Sequence, residues 1–281
     1  NLCSHSGKLF LEYSVDELKL SDILDESPER EDFELIRVST SKLAPIPTIL
    51  PVERGFPAHK STISLSSEQL ALFDYIEGEH TNIFVTGRAG TGKSTLLTYL
   101  VENTKKKFAV CAPTGVAALN VSGQTIHSLF GLPLGLLGTE DVARHLGLRS
   151  REVLRSIEML VIDEISMVRA DVVDGIDVAM RMAKGNDLPF GGVRVVMFGD
   201  PFQLPPIVSK EQAGAFGDLW YETPHFFDAA VFKYAPLSTV EFHTVYRQRD
   251  PVWVALLDRV RTATPTGDDY QLLHTRITRA T

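Results

Sequence analysis

Residues 84–95 read FVTGRAGTGKST: an apolar run into Gly87, four residues, then Gly92, Lys93 and Ser94. That spacing is the one a phosphate-binding loop needs. Glycines let the backbone turn tightly enough for successive N–H groups to face phosphate oxygens. Lys93 reaches the terminal phosphates, and the Ser94 hydroxyl is placed to ligate Mg²⁺. A helix beginning near Ser94 adds the positive end of its dipole. Gly87, Ala89, Gly90, Thr91, Gly92, Lys93, Ser94 and Thr95 are therefore candidate contacts to a nucleoside triphosphate with Mg²⁺. The alternative is a Gly-rich strand-to-helix turn with Lys93 in solvent, and the complete pattern in this setting argues against it.

Working outward, apolar runs alternate with helical segments: NIFVTG (82–87) with STLLTYLVENT, FAVCAPTG (108–115) with VAALNV, and MLVIDE (159–164) with VVDGIDVAMRMA. VRVVMFGD (193–200) follows, and LSTVEFHTVYRQ (237–248) precedes WVALLDRVRT. Such alternation predicts an α/β fold of the P-loop NTPase kind, a mostly parallel sheet with helices on both faces. Continuous apolar runs suit strands buried on both sides. Ligands gather at the carboxyl ends of such strands, and the suspicious residues all fall there.

The organised domain is predicted to begin near Ser66. Before it lie an acidic stretch and the proline-rich APIPTILPVERGFP, which read as an arm or linker over 1–60. The chain has 281 residues, 44% of them hydrophobic, a globular composition. No apolar run approaches the ~18–20 residues a bilayer requires, and NLCSHSGKLF lacks a signal-peptide core. A cytoplasmic protein without a membrane partner is expected, or a nuclear or mitochondrial one in a eukaryote. Two cysteines, Cys3 and Cys111, are too few for a disulfide framework. The net charge of −8 seems adverse to nucleic acid, but residues 12–34 hold ten acids against Lys19 and Arg30. That segment accounts for the whole imbalance, so a cationic track on a neutral body is compatible with the composition.

Asp163 and Glu164 end an apolar run, where one carboxylate can hold Mg²⁺ through water and its neighbour orient an attacking water. An acidic helix cap is the alternative. Gln203, in GDPFQLPP (199–206), is placed to touch a γ-phosphate or that water, unless the prolines merely stiffen a connection. Arg247, in YRQRD, could supply a guanidinium to charge developing in phosphoryl transfer, or lie on the surface. Thr114 and Gly115 at a helix start could meet nucleic-acid phosphates. Thr125, His127 and Phe130 offer a hydroxyl, a polar ring and an aromatic face to a single strand. The bland alternative makes Thr125 a helix cap, leaves His127 half-buried and puts Phe130 in the core.

Together these strings resemble the Pif1 family of superfamily 1 (5′ to 3′) DNA helicases. SSEQ (66–69) is similar to its adenine-recognising Q motif, with Gln69 the matching residue. GRAGTGKST matches motif I, APTGVAAL and QTIHSLF match motif Ia and its sequel, DEISM motif II, GDPFQLPP motif III, and YRQRDPVWVALLDRVR motif IV. VRADVVDGIDVAMR resembles the family's signature helix, though Asp171, Asp174 and Asp177 could equally be one solvated edge. The resemblance covers about residues 66–263. It implies a RecA-like motor domain over 61–245 with a small insertion near 130–150, and the start of a second RecA-like domain over 246–281. It also implies ATP and Mg²⁺ as cofactors, ATP-driven movement along single-stranded DNA, and unwinding of forked duplex DNA by a monomer. Arg247 becomes an arginine finger, and Thr114, Thr125 and His127 become DNA contacts. Roles in DNA repair, recombination and telomere maintenance accompany such an activity. The matching motifs V and VI of a second domain are not in this sequence, so the ATP-binding half alone is expected to bind nucleotide with little turnover. A P-loop ATPase that remodels protein partners is the rival reading. A nucleotide-dependent scaffold docking partners through the acidic arm is the other.

Overall fold

Strand β1 (Asn82–Gly87) is buried along its length after Asn82, and its side chains divide between two cores. Ile83 and Val85 face one cluster and Phe84 the other, the alternation a strand imposes on successive residues. The computed structural model describes residues 63–79, 81–209, 216, 221–248 and 250–275. The arm expected over 1–60, with its acidic stretch and Cys3, lies outside the described residues, as do residues 276–281.

After helix α1 (Ser67–Gly78) and β1 come α2 (Lys93–Asn103), β2 (Phe108–Ala112), α3 (Gly115–Asn120), the two-residue β3 (Gln124–Thr125) and α4 (Ile126–Phe130). Next are α5 (Thr139–His145), α6 (Leu148–Ser156), β4 (Met159–Ile162), α7 (Ala170–Lys184), β5 (Arg194–Phe198) and β6 (Leu237–Phe242). α8 (Pro251–Arg261) and α9 (Gly267–His274) follow. The six strands form one sheet in the order β3-β2-β4-β5-β1-β6, with every pairing parallel. Five of these strands coincide with the apolar runs. β3 is the addition, too short and too polar to announce itself.

On one face α1 and α2 bury Leu72, Ile76, Leu96, Leu97 and Leu100 against Val85, Val161, Val196 and Val240. On the other, α7 packs Val173, Ile176 and Met180 over Phe84, Leu160 and Met197. Each such side chain contributes about 1.5–3 kcal/mol of transfer free energy. The segment near 130–150, expected as a small insertion, shares this second core through Leu132, Leu137, Val142 and Leu146.

α7 decides between two readings of its aspartates. Asp171 and Asp177 are buried, so the three aspartates do not form a solvated edge. Asp171 accepts from the Leu137 N–H and pairs with Arg169. Asp174 accepts from the Tyr221 hydroxyl and the Ala230 and Val231 N–H groups. Asp177 accepts from the Phe190 N–H and pairs with Arg181. Each carboxylate fastens a different loop to the helix.

Candidate functional site

The strand order fixes what lies beside what at the carboxyl edge of the sheet. β1, leading into the glycine-rich loop, sits between β5, which leads to Asp200 and Gln203, and β6, which leads to Arg247. β4, ending at Asp163 and Glu164, lies beyond β5, and β2 and β3, ending at Thr114 and Thr125, lie beyond that. An open cleft of about 690 Å³ follows this edge. Gln69, Ala89, Gly90, Gly92, Lys93, Ser94, Thr95, Asp163, Glu164, Gln203 and Arg247 all line it. Gly87 and Thr91 support it from behind: Gly87 through its carbonyl, and Thr91 through a buried hydroxyl that donates to the Arg88 carbonyl at 2.9 Å.

Lys93 folds back onto its own loop, Nζ donating to the Gly87 carbonyl at 2.5 Å and the Arg88 carbonyl at 3.1 Å. Burial lowers its pKa, with the Asp200 carboxylate pulling the other way. Gly92 opens α2 at φ 93°, and a Cβ there would lie 2.3 Å from Gln69 Nε2. The approach is a hydrogen bond: Nε2 donates to the Gly92 carbonyl at 3.2 Å, while Oε1 accepts from the Ser66 N–H at 3.0 Å. Gln69 thus closes the capping box of α1 and ties that helix to the loop. On the opposite flank the Tyr246 N–H donates to the Gly90 carbonyl at 2.8 Å. A Cβ at Gly90, itself at φ 82°, would lie 2.5 Å from Arg247 Cβ, so Arg247 sits directly against the loop.

Burial pushes the Asp163 carboxyl up to about 6, the charge of Glu164 adding to the shift, the Glu164 N–H and Lys93 opposing it. Glu164 occupies the left-handed region at φ 51°, ψ 42°. For a residue with a Cβ this costs about 1–2 kcal/mol, and such outliers concentrate at functional sites. Gln203 donates from Nε2 to Asp200 Oδ2 at 3.0 Å. Asp200 is 1% exposed and meets Arg261, the last residue of α8, at 2.9 Å. Arg261 and Asp200 are functional-looking residues that sequence reasoning missed as site residues. Asp200 was visible at a strand end, but nothing in the sequence signals that an arginine 61 positions later returns to it.

A second, smaller pocket of about 170 Å³ lies beyond β4, with Thr114, His127, Met167, Arg169, Pro205 and Ile207 in its wall. Burial, and then the nearby Arg169 guanidinium, push His127 below the usual histidine range. Thr114 and Thr125 cap α3 and α4, accepting from the Ala117 and Ser128 N–H groups. A side chain at Gly115 would meet open space. Phe130 is a correction: its ring is fully buried in the core cluster that also holds Leu129 and Leu132, so it offers no face to a base.

A family model for PIF1-like helicases matches residues 64–220, more than half of the chain. The chain belongs to the Pif1-like helicase family. It is 40% identical over 211 residues to the ATP-dependent DNA helicase PIF1 of Saccharomyces cerevisiae, a match covering 72% of this chain and 23% of the yeast protein. Among solved Pif1 structures, the Bacteroides helicase in complex with ADP-AlF3 and single-stranded DNA superposes with a TM-score of 0.73 at 41% identity. That match covers 78% of this chain and 51% of the other. A structure of two Pif1 helicases coordinating DNA unwinding at forked duplex DNA gives a TM-score of 0.74 at 42% identity, over 78% and 53%. The chain thus spans about a quarter of the yeast relative and about half of the solved Pif1 chains. These likenesses place the α/β sheet among RecA-like P-loop folds. Among the described residues no helix is long and apolar enough to cross a membrane, and no three His, Cys, Asp or Glu side chains cluster as a metal site. A P-loop Mg²⁺ needs no such cluster, because phosphates and water supply most of its ligands.

Proposed function

We propose that this chain carries the ATP-binding motor domain of a helicase that moves 5′ to 3′ along single-stranded DNA and unwinds forked duplexes. The observation that carries the reading is adjacency: the Lys93, Asp163, Glu164 and Gln203 cleft and the Thr114 and His127 pocket border the same carboxyl edge, meeting at β4 and β2. With strands about 4.8 Å apart, a shift of the loops around a phosphate reaches the second pocket within a few strand widths. The names of the PIF1 relatives, and the neighbour bound to both ADP-AlF3 and single-stranded DNA, support it.

Lys93 exchanges the Gly87 and Arg88 carbonyls for phosphate oxygens, a replacement its depressed pKa and crowded position favour. The residues fit Mg²⁺-ATP: Ser94 and Asp163 line the cleft together and would hold the ion, which supplies charge stabilisation to the phosphates. Glu164 orients the attacking water, Gln203 reads the γ-phosphate and Arg247 meets developing charge. Gln69 already holds the loop, so it reads adenine with the donor and acceptor capacity its capping box leaves over. Thr114, Gly115, Thr125 and His127 form the DNA track without Phe130. α8 and α9 lead toward a second RecA-like domain in cis that closes the cleft, in a protein acting as a monomer away from membranes.

Lys93→Ala in the protein that contains this chain should abolish ATP-dependent unwinding and leave the melting temperature within a few degrees. Unwinding retained by that variant would sink the proposal. The 281-residue chain alone should bind ATP with little hydrolysis, since transition-state stabilisation needs groups on both sides of the cleft.

A further inference from the structure

Gln203 is a rotatable amide, and reading a phosphate demands that it point one way. Its Nε2 donates to Asp200 Oδ2 at 3.0 Å. A carboxylate only accepts, so it selects the nitrogen end of the amide and sends the carbonyl end to the other side. Asp200 must itself be held. Arg261 Nε lies 2.9 and 3.2 Å from its two oxygens, and Arg261 Nη2 lies 2.9 Å from Oδ1. This two-pronged grip has a fixed plane. The Phe202 N–H donates to Asp200 Oδ1 at 3.1 Å, and the guanidinium stacks 4.4 Å over the Phe202 ring. The Arg261 side chain is 13% exposed. On its other side Asp258 lies 3.6 Å away and Glu241 3.9 Å away. Asp258 also meets Arg88 of the phosphate loop at 2.8 Å, in ion-pair distance without a directed hydrogen bond.

We infer that Arg261 is the positioning residue for Gln203, acting through Asp200, and that α8 thereby joins the phosphate loop to the residue that senses the γ-phosphate. The inference rests on the nucleotide reading above. It adds a role for the last residue of the motif IV string, at the end of α8. Arg261 touches neither nucleotide nor DNA in this scheme. It removes the freedom of Gln203 to rotate away, and it links movement of α8 to the order of the 200–203 turn.

The test uses the 281-residue chain and compares affinity for ATPγS with affinity for ADP, both with Mg²⁺. Gln203→Ala should reduce the preference for ATPγS about tenfold, the worth of one hydrogen bond to a charged group. Arg261→Gln should reduce it by a similar factor, Arg261→Lys by less, and the Gln203→Ala/Arg261→Gln pair by no more than Gln203→Ala alone. If leaving Asp200 buried and unpaired unfolds Arg261→Gln, the Asp200→Asn/Arg261→Gln pair removes the charge mismatch and should show the same lost preference. A merely structural arginine would lower the melting temperature and weaken both nucleotides equally. That unchanged ratio, a full additive loss in the double variant, or an unaltered ratio in Gln203→Ala would each overturn the inference. Failure of the nucleotide reading looks different: Lys93→Ala would then leave ATPγS affinity untouched.

Discussion

In its proposed role Asp163 is under two opposed demands. Holding Mg²⁺ requires its carboxylate ionised, yet burial pushes its carboxyl up to about 6 against an ordinary value near 3.9. A raised pKa means the folded chain holds the proton more tightly than the unfolded one. The resulting stability is present in full below about pH 4 and is lost as pH rises through about 6. At pH 7.5 the ionised group therefore opposes folding, by a few kcal/mol at most since one unit is about 1.4 kcal/mol. Asp163→Asn should unfold in denaturant with about 1–3 kcal/mol more stability than the wild type at pH 7.5, with the gap closing below about pH 4. The same protonation competes with Mg²⁺. Calorimetric titration should show the Mg²⁺-dependent part of ATPγS affinity falling about tenfold per unit below about pH 6, and Asp163→Asn should lack that dependence. A variant no more stable than wild type would mean that the desolvation is relieved in solution. Glu164 beside it adds strain to burial, so this corner of the site gives up stability for chemistry.

At the scale of elements, α7 concentrates the polar fastening of the molecule. Three carboxylates at spacings of three residues look like a wet stripe, because sequence periodicity records which residues share a helix edge and not what covers that edge. Here three loops cover it, and burial is tolerated since every carboxylate is hydrogen-bonded. Asp174 accepts from three different residues, and burial pushes its carboxyl to about 6 as well. Asp174→Ala should cost about 3 kcal/mol or more by leaving buried N–H groups unpaired, and Tyr221→Phe about 1 kcal/mol. Chemical denaturation of both variants checks this, and equal losses would mean that the backbone donors find other partners. The five long strands were legible because each is a continuous apolar run, and the loops that line the cleft because strand ends place them. The rest depended on distance in sequence. The resemblance makes Gln69 a base contact, whereas its amide also closes a helix cap and grips Gly92, 23 residues away. Beside the polar Thr125 and His127, Phe130 suggests a stacking face as readily as a core ring. Its burial comes from tertiary packing in the larger core, which the local string does not encode.

For the whole molecule, the order β3-β2-β4-β5-β1-β6 turns a scattered series of motifs into one edge, and that order follows from topology rather than from any single motif. What topology leaves open is the electrostatic environment of the edge. Residues 12–34, ten acids against Lys19 and Arg30, account for the entire net charge of −8, so in the proposed role the remainder of the chain approaches a nucleic acid with no net repulsion or attraction, and binding depends on local cations and counterion release. An anionic segment tethered to that body raises the negative potential within about 10 Å at 0.1 M salt and competes with phosphates for the same cations. Deleting residues 12–34 should therefore tighten binding of a labelled oligothymidylate several-fold at 50 mM salt, with the gain shrinking to nothing near 0.5 M, where the screening length is only a few ångströms. Fluorescence anisotropy at the two salt concentrations measures it. A gain that persists at high salt would indicate a steric block rather than a field. Unchanged affinity at low salt would place the acidic segment's charge beyond reach of the proposed DNA track, and the −8 would then act only on solubility.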